Sequence, residues 1–387
     1  MKKILLLICS LSLAFGLSAQ NVFIADNNFN APTGANIFPT IQEAIDAASA
    51  GDFIYIQPSV NTYGNAVFDK ELHIRGIGFD LDKDLPFLSV MGFLTLENNA
   101  DNTSNPSNST IKGMQISVLT LRFQSGSVTY NLDGVTVENC FVSTITGTSA
   151  AIISTANLQV IDSRFSSFTL TGSNTNLLIR NNLITTAITF NSSLPQSVII
   201  TNNILYASIS KVSEGDSFII KNNNFIGSKN SNIAFSSMRD AVIANNIFYG
   251  RTPSNFTTGE SNSTSFQRNI FTNNLTHETG NDDLPPVGGG VSITGDGNIE
   301  ATSPLFVDVP ILNSWADTHD FTLQAGSPVL GAGSDGEDIG ITGGPFGFTE
   351  SNFQLDTTPL PTIQILNTST VINPGDDLDV RIRAKSN

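Results

Sequence analysis

The feature of this sequence that most constrains its fold is a short repeat between about residues 135 and 272. Seven copies approximate the order apolar, any, apolar, any, Asn, Asn, any, apolar, four of them with the complete Asn pair, and successive copies are about twenty residues apart. A unit of this length cannot bury its own apolar face, so it must stack on its neighbours as a solenoid. The second apolar position forms one column, with members 19 to 23 residues apart: Val137, Val160, Ile179, Ile200, Ile220, Ile243 and Phe266.

The repeat predicts β-structure, because residues alternate with a period of two and are rich in β-branched and aromatic types. The Asn pair predicts a corner, since Asn tolerates the left-handed backbone conformation. Coils stacked about 4.8 Å apart would let identical amides hydrogen-bond along the rod. The predicted asparagine ladder is Asn182, Asn203, Asn223, Asn246 and Asn269, and a second inward apolar column is Val142, Phe165, Ile184, Leu205, Phe225, Phe248 and Phe271.

The charge of the chain argues against several partners. The formal net charge is −16, only 13% of the residues are charged, and Asn, Ser, Thr and Gly are abundant. Such a surface repels nucleic acid, anionic membranes and polyuronates unless a cation bridges them. We therefore expect an all-β extracellular protein that binds no nucleic acid.

The N-terminus has the layout of a secretory signal peptide over residues 1–20. Lys2 and Lys3 precede an apolar run from Ile4 to Leu17, and small or polar residues follow it. The run is too short to span a membrane, and no later stretch is long and apolar enough for membrane insertion. We expect export, to the cell surface or the medium, and a mature chain with Cys140 as its single cysteine, which excludes an intramolecular disulfide.

The segment from Pro39 to Ala48 predicts a short amphipathic helix that covers the open end of the coil stack. It lies in the stretch Thr40-Ile41-Gln42-Glu43-Ala44-Ile45-Asp46-Ala47-Ala48, followed by Gly51-Asp52-Phe53-Ile54-Tyr55-Ile56. Here the sequence resembles the pectin-lyase-like superfamily of right-handed parallel β-helices. Ser303-Pro304-Leu305-Phe306-Val307-Asp308 and Asp338-Ile339-Gly340 resemble closing coils of secreted bacterial members. The resemblance implies an all-β, right-handed parallel β-helix with an N-terminal capping helix.

We expect four parts along the chain. These are the signal peptide, the β-helix with its cap over residues 21–342, a linker over residues 343–357, and residues 358–387. The last part, with alternating Leu378, Val380 and Ile382, predicts either a short β appendage or a truncated immunoglobulin-like module.

The repeat offers little that resembles a catalytic centre. Related polysaccharide lyases hold Ca²⁺ with several carboxylates, whereas related hydrolases use clustered Asp residues. From residue 121 to 270 the carboxylates are few and form no column. The best candidate for a cation, and thus for Ca²⁺, is Asp335, Glu337 and Asp338 in a Gly-rich bend, although the resemblance assigns Asp338 to coil closure. No other cofactor is expected, and the catalytic residues, if any, are unknown.

One outward position is apolar in four consecutive coils, at Leu178, Ile199, Ile219 and Val242. Together they would form an exposed stripe about 14 Å long. Because exposed stripes of this kind are usually covered, we expect a long loop, the C-terminal segment or a partner chain to pack there.

These observations favour an exported, non-catalytic β-helix protein that acts in adhesion or binds a polysaccharide or cell-surface glycan. The alternative is a polysaccharide lyase or glycoside hydrolase acting on the lateral face of the β-helix, because one coil architecture supports many functions. The sequence leaves the ligand, the mode of surface attachment and the oligomeric state open.

Overall fold

The structure is a computed structural model that describes residues 20–29, 31–79, 88–98, 105–123, 130–148, 153–191, 196–211, 217–229, 232–254, 266–286, 292–349, 362–368 and 380–385. Most of the predicted signal peptide, part of the predicted linker and most of residues 358–387 lie outside the described residues.

The described chain is an all-β parallel β-helix, as predicted, in which successive coils contribute strands to the same sheets. Fifteen described strands form the first sheet. They are Val22–Ala25, Ile37–Phe38, Asp52–Ile56, Leu72–Arg75, Thr110–Lys112, Tyr130–Asp133, Thr136–Glu138, Ile153–Ala156, Gln159–Ile161, Ser173–Arg180, Gln196–Thr201, Ser217–Lys221, Ala241–Ala244, Ile270–Thr272 and Thr294–Asp296.

The second sheet of the coils contains thirteen described strands, also parallel to one another. They are Ala66–Phe68, Val90–Asn98, Gln115–Phe123, Phe141–Thr148, Arg164–Leu170, Leu183–Phe190, Ile204–Leu205, Ser208–Lys211, Asn224–Ile226, Phe235–Arg239, Ile247–Tyr249, Phe266–Gln267 and Leu275–His277. From Ile204 onwards the described strands of this face are shorter, and in the first of these coils a bend at Tyr206 and Ala207 separates Ile204–Leu205 from Ser208–Lys211.

The core is a set of inward files in which each side chain lies directly over its counterpart in the next coil. One file runs without interruption through the first sheet, and every member is at most 1% exposed. Its members are Ile54, Ile74, Ile111, Val137, Val160, Ile179, Ile200, Ile220, Ile243 and Phe271. A rod built in this way gains its stability from the apolar contact between neighbouring coils.

The last coil of the predicted repeat has a different register from the one expected. Phe271 pairs with Ile243 and Thr276 pairs with Phe248, so Phe271 belongs to the first file and Phe266 lies in another strand. The sequence Asn269-Ile270-Phe271 resembles the end of the repeat, but the structure places it at the start of a coil whose Asn pair is Asn273-Asn274.

A single described helix, Ile41–Ala47, lies near the N-terminus. Thr40 begins it by accepting a hydrogen bond from the backbone N–H of Glu43 at 3.2 Å. Ile41, Ala44 and Ile45 are buried in the same core as the first strands. No helix in the described part of the chain has the length and apolar character needed to cross a membrane.

Residues 304–349, called here the lateral segment, do not continue the winding. The last strand of the parallel sheets is Thr294–Asp296, followed by a single bridge between Leu275 and Ile299. The lateral segment contains an antiparallel pair, Phe306–Asp308 with Asp320–Leu323. The expectation that this region forms closing coils is therefore wrong. A second antiparallel pair, Thr362–Thr368 with Val380–Lys385, follows near the C-terminus.

Candidate functional site: a cleft beneath the lateral segment

The second Asn of each corner points into the rod and joins adjacent coils. Asn203 is typical: its side-chain oxygen accepts from the backbone N–H of Asn182 at 2.9 Å, and its side-chain nitrogen donates to the carbonyl of Ile179 at 3.0 Å. The same two bonds recur in a ladder that continues through Asn182, Asn223, Asn246, Asn274 and Asn298. Ser163, at the start of this ladder, accepts from the backbone N–H of Cys140 at 3.1 Å but donates to the carbonyl of Ile161 in its own coil. This ladder satisfies buried backbone groups that would otherwise lack partners.

Asn269, predicted to belong to this ladder, lies elsewhere. Its side chain accepts from the backbone N–H of Ala241 at 3.1 Å and donates to the carbonyl of Met238 at 3.0 Å, at a different corner of the coil. Asn274 occupies the ladder position next to Asn246. The prediction failed because the coil between Ile243 and Phe271 is longer than the coils between Val137 and Ile243, which displaces the true Asn pair by five residues.

The first Asn of four successive corners, at Asn202, Asn222, Asn245 and Asn273, points outward and holds the lateral segment. These residues have φ near 55°, the left-handed conformation that the corner requires. Asn202 donates to the carbonyls of Ile341 and Gly343 at 3.0 and 2.8 Å. In the following coils, Asn222 approaches the carbonyls of Asp338 and Gly340, Asn245 accepts from the N–H of Ser334, and Asn273 donates to the carbonyl of Ala332. The lateral segment thus runs back along the rod, opposite to the order of the coils.

A buried arginine adds a second attachment. Arg251 is 3% exposed and donates to the carbonyls of Tyr206, Ile226 and Ile233, all in the coils, and to the side-chain oxygen of Asn313 in the lateral segment. Burial lowers the pKa of Arg251 to about 10, which leaves the guanidinium charged at neutral pH. Three of these hydrogen bonds anchor the buried charge to two neighbouring coils, and the fourth attaches the lateral segment to it.

The contact between the coils and the lateral segment is also apolar. The outward residue after four of the Asn pairs is apolar and buried there, and it packs against side chains of the lateral segment. At the same position after Asn223, Asn224 accepts a hydrogen bond from the backbone N–H of Ile341 at 3.3 Å. This second cluster includes Leu183, Ile204, Ile247 and Leu275 from the coils with Phe306, Phe321, Val329, Ile339 and Ile341.

A cleft of about 860 Å³ opens where this covered row ends. Arg164 pairs with Leu183 in the same outward row, but there the apolar residues give way to a charged one. The lining residues are Phe79, Arg164, Leu183 and Ile204 from the coils, and Trp315, Asp317, Asp320, Phe321, Thr322, Leu323, Leu330, Asp338, Ile341, Thr342, Phe348 and Thr349 from the lateral segment. Its volume lies within the range of small-molecule sites.

Trp315 is the central aromatic residue of the cleft. Its ring is nearly parallel to that of Phe321, with an interplanar angle of 5° and centroids 6.1 Å apart. Its indole Nε1–H donates to Oδ1 of Asp317 at 2.9 Å. On the opposite side, Nη1 of Arg164 lies 3.8 Å from the same carboxylate oxygen, and the guanidinium carbon lies 5.4 Å from the ring centre of Phe141. The cleft therefore combines aromatic rings with a bridging carboxylate.

Two further carboxylates line the cleft. Asp320 accepts a hydrogen bond from the backbone N–H of Thr322 at 2.9 Å, and bonds from Thr322 lower the pKa of this carboxyl. Asp338 accepts from the backbone N–H of Gly331 at 2.9 Å and from the hydroxyl of Thr342 at 3.2 Å. Both carboxylates are fixed by neighbours within the lateral segment.

The structure does not bring Asp335, Glu337 and Asp338 together as a cation site. Asp338 contacts Gly331 and Thr342 as described, whereas Asp335 accepts from the backbone N–H of Glu337 at 3.2 Å. Within the described ranges, no three His, Cys, Asp or Glu side chains are placed to hold a metal ion. The carboxylates of this bend instead stabilise its turns.

Leu178, Ile199, Ile219 and Val242 lie in one outward row, each paired with the next, and Ile270 extends the row by one coil. Ile199 is 37% exposed and Val242 is 39% exposed. The lateral segment packs on the row after the Asn pairs rather than on this stripe, and the cover expected for the stripe stays a prediction.

Sequence reasoning missed the cleft and its residues. The one sequence feature that could have indicated the site is Trp315, the only tryptophan of the chain, which lies within five residues of Asp317 and Asp320. Nothing in the coils' periodicity connects these residues to Arg164, because the lateral segment is not periodic.

No protein-family model matches the chain, and no curated protein matches it. Six chains of known structure match. One is described as the crystal structure of pectate lyase Pel9A; it is 15% identical, with 84% of this chain and 96% of that chain covered and a TM-score of 0.46.

Proposed function

We propose that this chain is an exported β-helix protein, secreted or at the cell surface, that binds a glycan in the cleft beneath the lateral segment without cleaving it. The observation that carries the proposal is the composition of the cleft. Sugar rings present C–H groups on their faces and hydroxyls at their rims. Trp315 offers apolar ring surface, supported from behind by the buried ring of Phe321, whereas Arg164, Asp317 and Asp320 offer hydrogen-bonding groups beside it.

The attachment of the cleft supports a binding role. A site gains affinity when its groups are already ordered before the ligand arrives. The lateral segment is held by the outward asparagines, by Arg251 and by a buried apolar cluster, so Trp315 and Asp320 do not have to be ordered by the ligand.

Export rests on the layout of residues 1–20 and is tested directly. We expect the protein in the medium or on the cell surface, with a mature N-terminus near residue 21 in mass spectrometry. A chain that keeps residues 1–20 and stays in the cytoplasm would contradict export. Glycan binding does not depend on that result and is tested separately.

Glycan binding is tested by fluorescence, because Trp315 is the only tryptophan and reports on the cleft itself. Titration with a panel of soluble oligosaccharides should change its emission, and calorimetry should give the same affinity. Arg164→Gln should weaken binding about tenfold or more, because it removes a charged hydrogen-bond donor. Phe93→Ala is the matched control, since Phe93 is 50% exposed and does not line the cleft. Equal affinities of both variants and the unaltered protein would contradict binding in this cleft.

An enzymatic role is the second candidate, and one observation favours it. Arg164, Asp317, Asp320 and Asp338 line the same cleft, and paired carboxylates perform acid and base catalysis in many glycosidases. Assays for new reducing ends and for unsaturated uronates, with and without Ca²⁺, separate the two candidates. Product formation that disappears in Asp320→Asn would establish the enzyme, whereas binding without product supports the proposed function.

A further inference from the structure

The charged side chains that line the cleft are mostly negative. Its described lining contains three carboxylates, Asp317, Asp320 and Asp338, and a single cationic side chain, Arg164. The guanidinium already lies 3.8 Å from the Asp317 carboxylate. A carboxylate on an incoming glycan would therefore compete with Asp317 for Arg164, the single cationic side chain of the described lining.

Each carboxylate accepts a hydrogen bond from a neighbour in the lateral segment, and the bonds from Thr322 lower the pKa of Asp320. Asp317 accepts from the indole of Trp315, Asp320 from the backbone of Thr322, and Asp338 from Gly331 and Thr342. Hydrogen bonds to an ionised carboxylate stabilise its negative charge. The formal charge of −16 over the whole chain adds a long-range field of the same sign.

We infer that the glycan bound in this cleft carries no carboxylate or sulfate groups, and that polyuronates are excluded by charge. The inference rests on the proposed function and deepens it, because it names the class of glycan. It depends on the sign and placement of four side chains rather than on the shape of the cleft.

The test uses pairs of oligosaccharides that share a backbone and differ in charge. One pair is hexagalacturonate and its full methyl ester, and the other is cellohexaose and its form oxidised to uronate at C6. Affinities are measured by Trp315 fluorescence and calorimetry, in EDTA and again in CaCl₂. In each pair that binds, we expect the uncharged member to bind at least about tenfold more tightly at low salt. Added NaCl should narrow the difference, because salt screens exposed charges.

A double variant tests whether these carboxylates are the cause. Asp317→Asn with Asp320→Asn keeps one side-chain oxygen at each position but removes two negative charges, and should narrow the difference in affinity between the uncharged and charged members severalfold. Asp283→Asn with Asp296→Asn is the matched control, since it changes the net charge equally at exposed residues outside the cleft. This control should retain the preference. Circular dichroism and thermal unfolding confirm that both variants fold.

The outcomes separate the inference from the proposed function. If no oligosaccharide changes the fluorescence or produces heat, glycan binding itself fails. If a uronate binds as tightly as its uncharged partner, with or without CaCl₂, the inference is overturned while glycan binding stands. An equal change of preference in both double variants would also overturn it, because the long-range field rather than the cleft would then discriminate.

Discussion

Adjacent asparagines at the corners of this rod have the same side chain and nearly the same burial but different partners. Asn222 is 1% exposed and Asn223 is 0% exposed. Asn223 bonds to residues 20 and 23 positions away, in the neighbouring coils. Asn222 bonds to residues 116 and 118 positions away, in the lateral segment. The inward row therefore holds the coils together, whereas the outward row attaches the segment that forms the cleft.

The largest effect should come from the inward row. Asn223→Ala leaves the backbone N–H of Asn203 and the carbonyl of Ile200 buried without these partners. Each unsatisfied buried group costs about 1 to 3 kcal/mol, so we expect the free energy of unfolding to fall by about 3 kcal/mol. Urea unfolding followed by circular dichroism measures it. A loss below about 1 kcal/mol would show that the ladder is not required for coil stacking.

A smaller and local effect is expected in the outward row. Asn202→Gly keeps the positive φ at little cost, but removes the hydrogen bonds to Ile341 and Gly343. Local opening of the lateral segment should become easier by about 1 to 2 kcal/mol. Faster amide exchange at Gly340 and Phe348, with an unchanged urea midpoint for the coils, is the expected result. A loss of protection in the coils and the lateral segment together would contradict separate roles for the two rows.

The difference between the rows also explains what the sequence could predict. Inward files and the ladder from Asn182 to Asn246 follow from the repeat, because each residue must match its counterpart in the next coil. The outward Asn row is equally periodic, but its partners are mainly backbone groups of the lateral segment, which has no repeat. Because every residue has a backbone carbonyl, such a partner cannot be recognised from the amino-acid sequence. The cleft depends on that segment, so its residues could not be brought together from the sequence.

The mistaken register at Asn269 has a related cause. Asn, Ile and Phe occur in the same order at the start of one coil and at the end of the predicted pattern, and the strand pairing alone distinguishes the two. A fixed period near twenty favoured the wrong choice. A coil can be longer than its neighbours and still keep its residues in the inward files, as Phe271 shows. The number of residues between copies is therefore a poorer guide to strand register than the position of the Asn pair.

Inward and outward positions also differ within a single strand, Ser217–Lys221, where the exposed stripe and the inward file lie side by side. Ile219 points outward and is partly exposed, whereas Ile220 points inward and is 0% exposed. We expect Ile219→Thr to change the free energy of unfolding by less than about 0.5 kcal/mol, as at most surface positions. Ile220→Thr, the matched control, should cost about 2 kcal/mol or more, because it buries a hydroxyl in the apolar file. A large loss in Ile219→Thr, together with a change in sedimentation, would indicate that another chain covers the stripe.

The smallest effect should come from an outward histidine of the same row and should depend on pH. Burial, followed by the nearby Arg75, lowers the pKa of His73, and Glu71 opposes this shift. The unfolded chain therefore binds a proton more readily than the folded one, and the free energy of unfolding decreases as the pH falls below the ordinary histidine value of about 6.5. His73→Gln removes this contribution, so its urea midpoint should fall less than that of the unaltered protein between about pH 8 and pH 5. If the urea midpoints of the two proteins fall equally between these pH values, the His73 side chain is solvated well enough to titrate as it does in the unfolded chain, and the prediction is wrong.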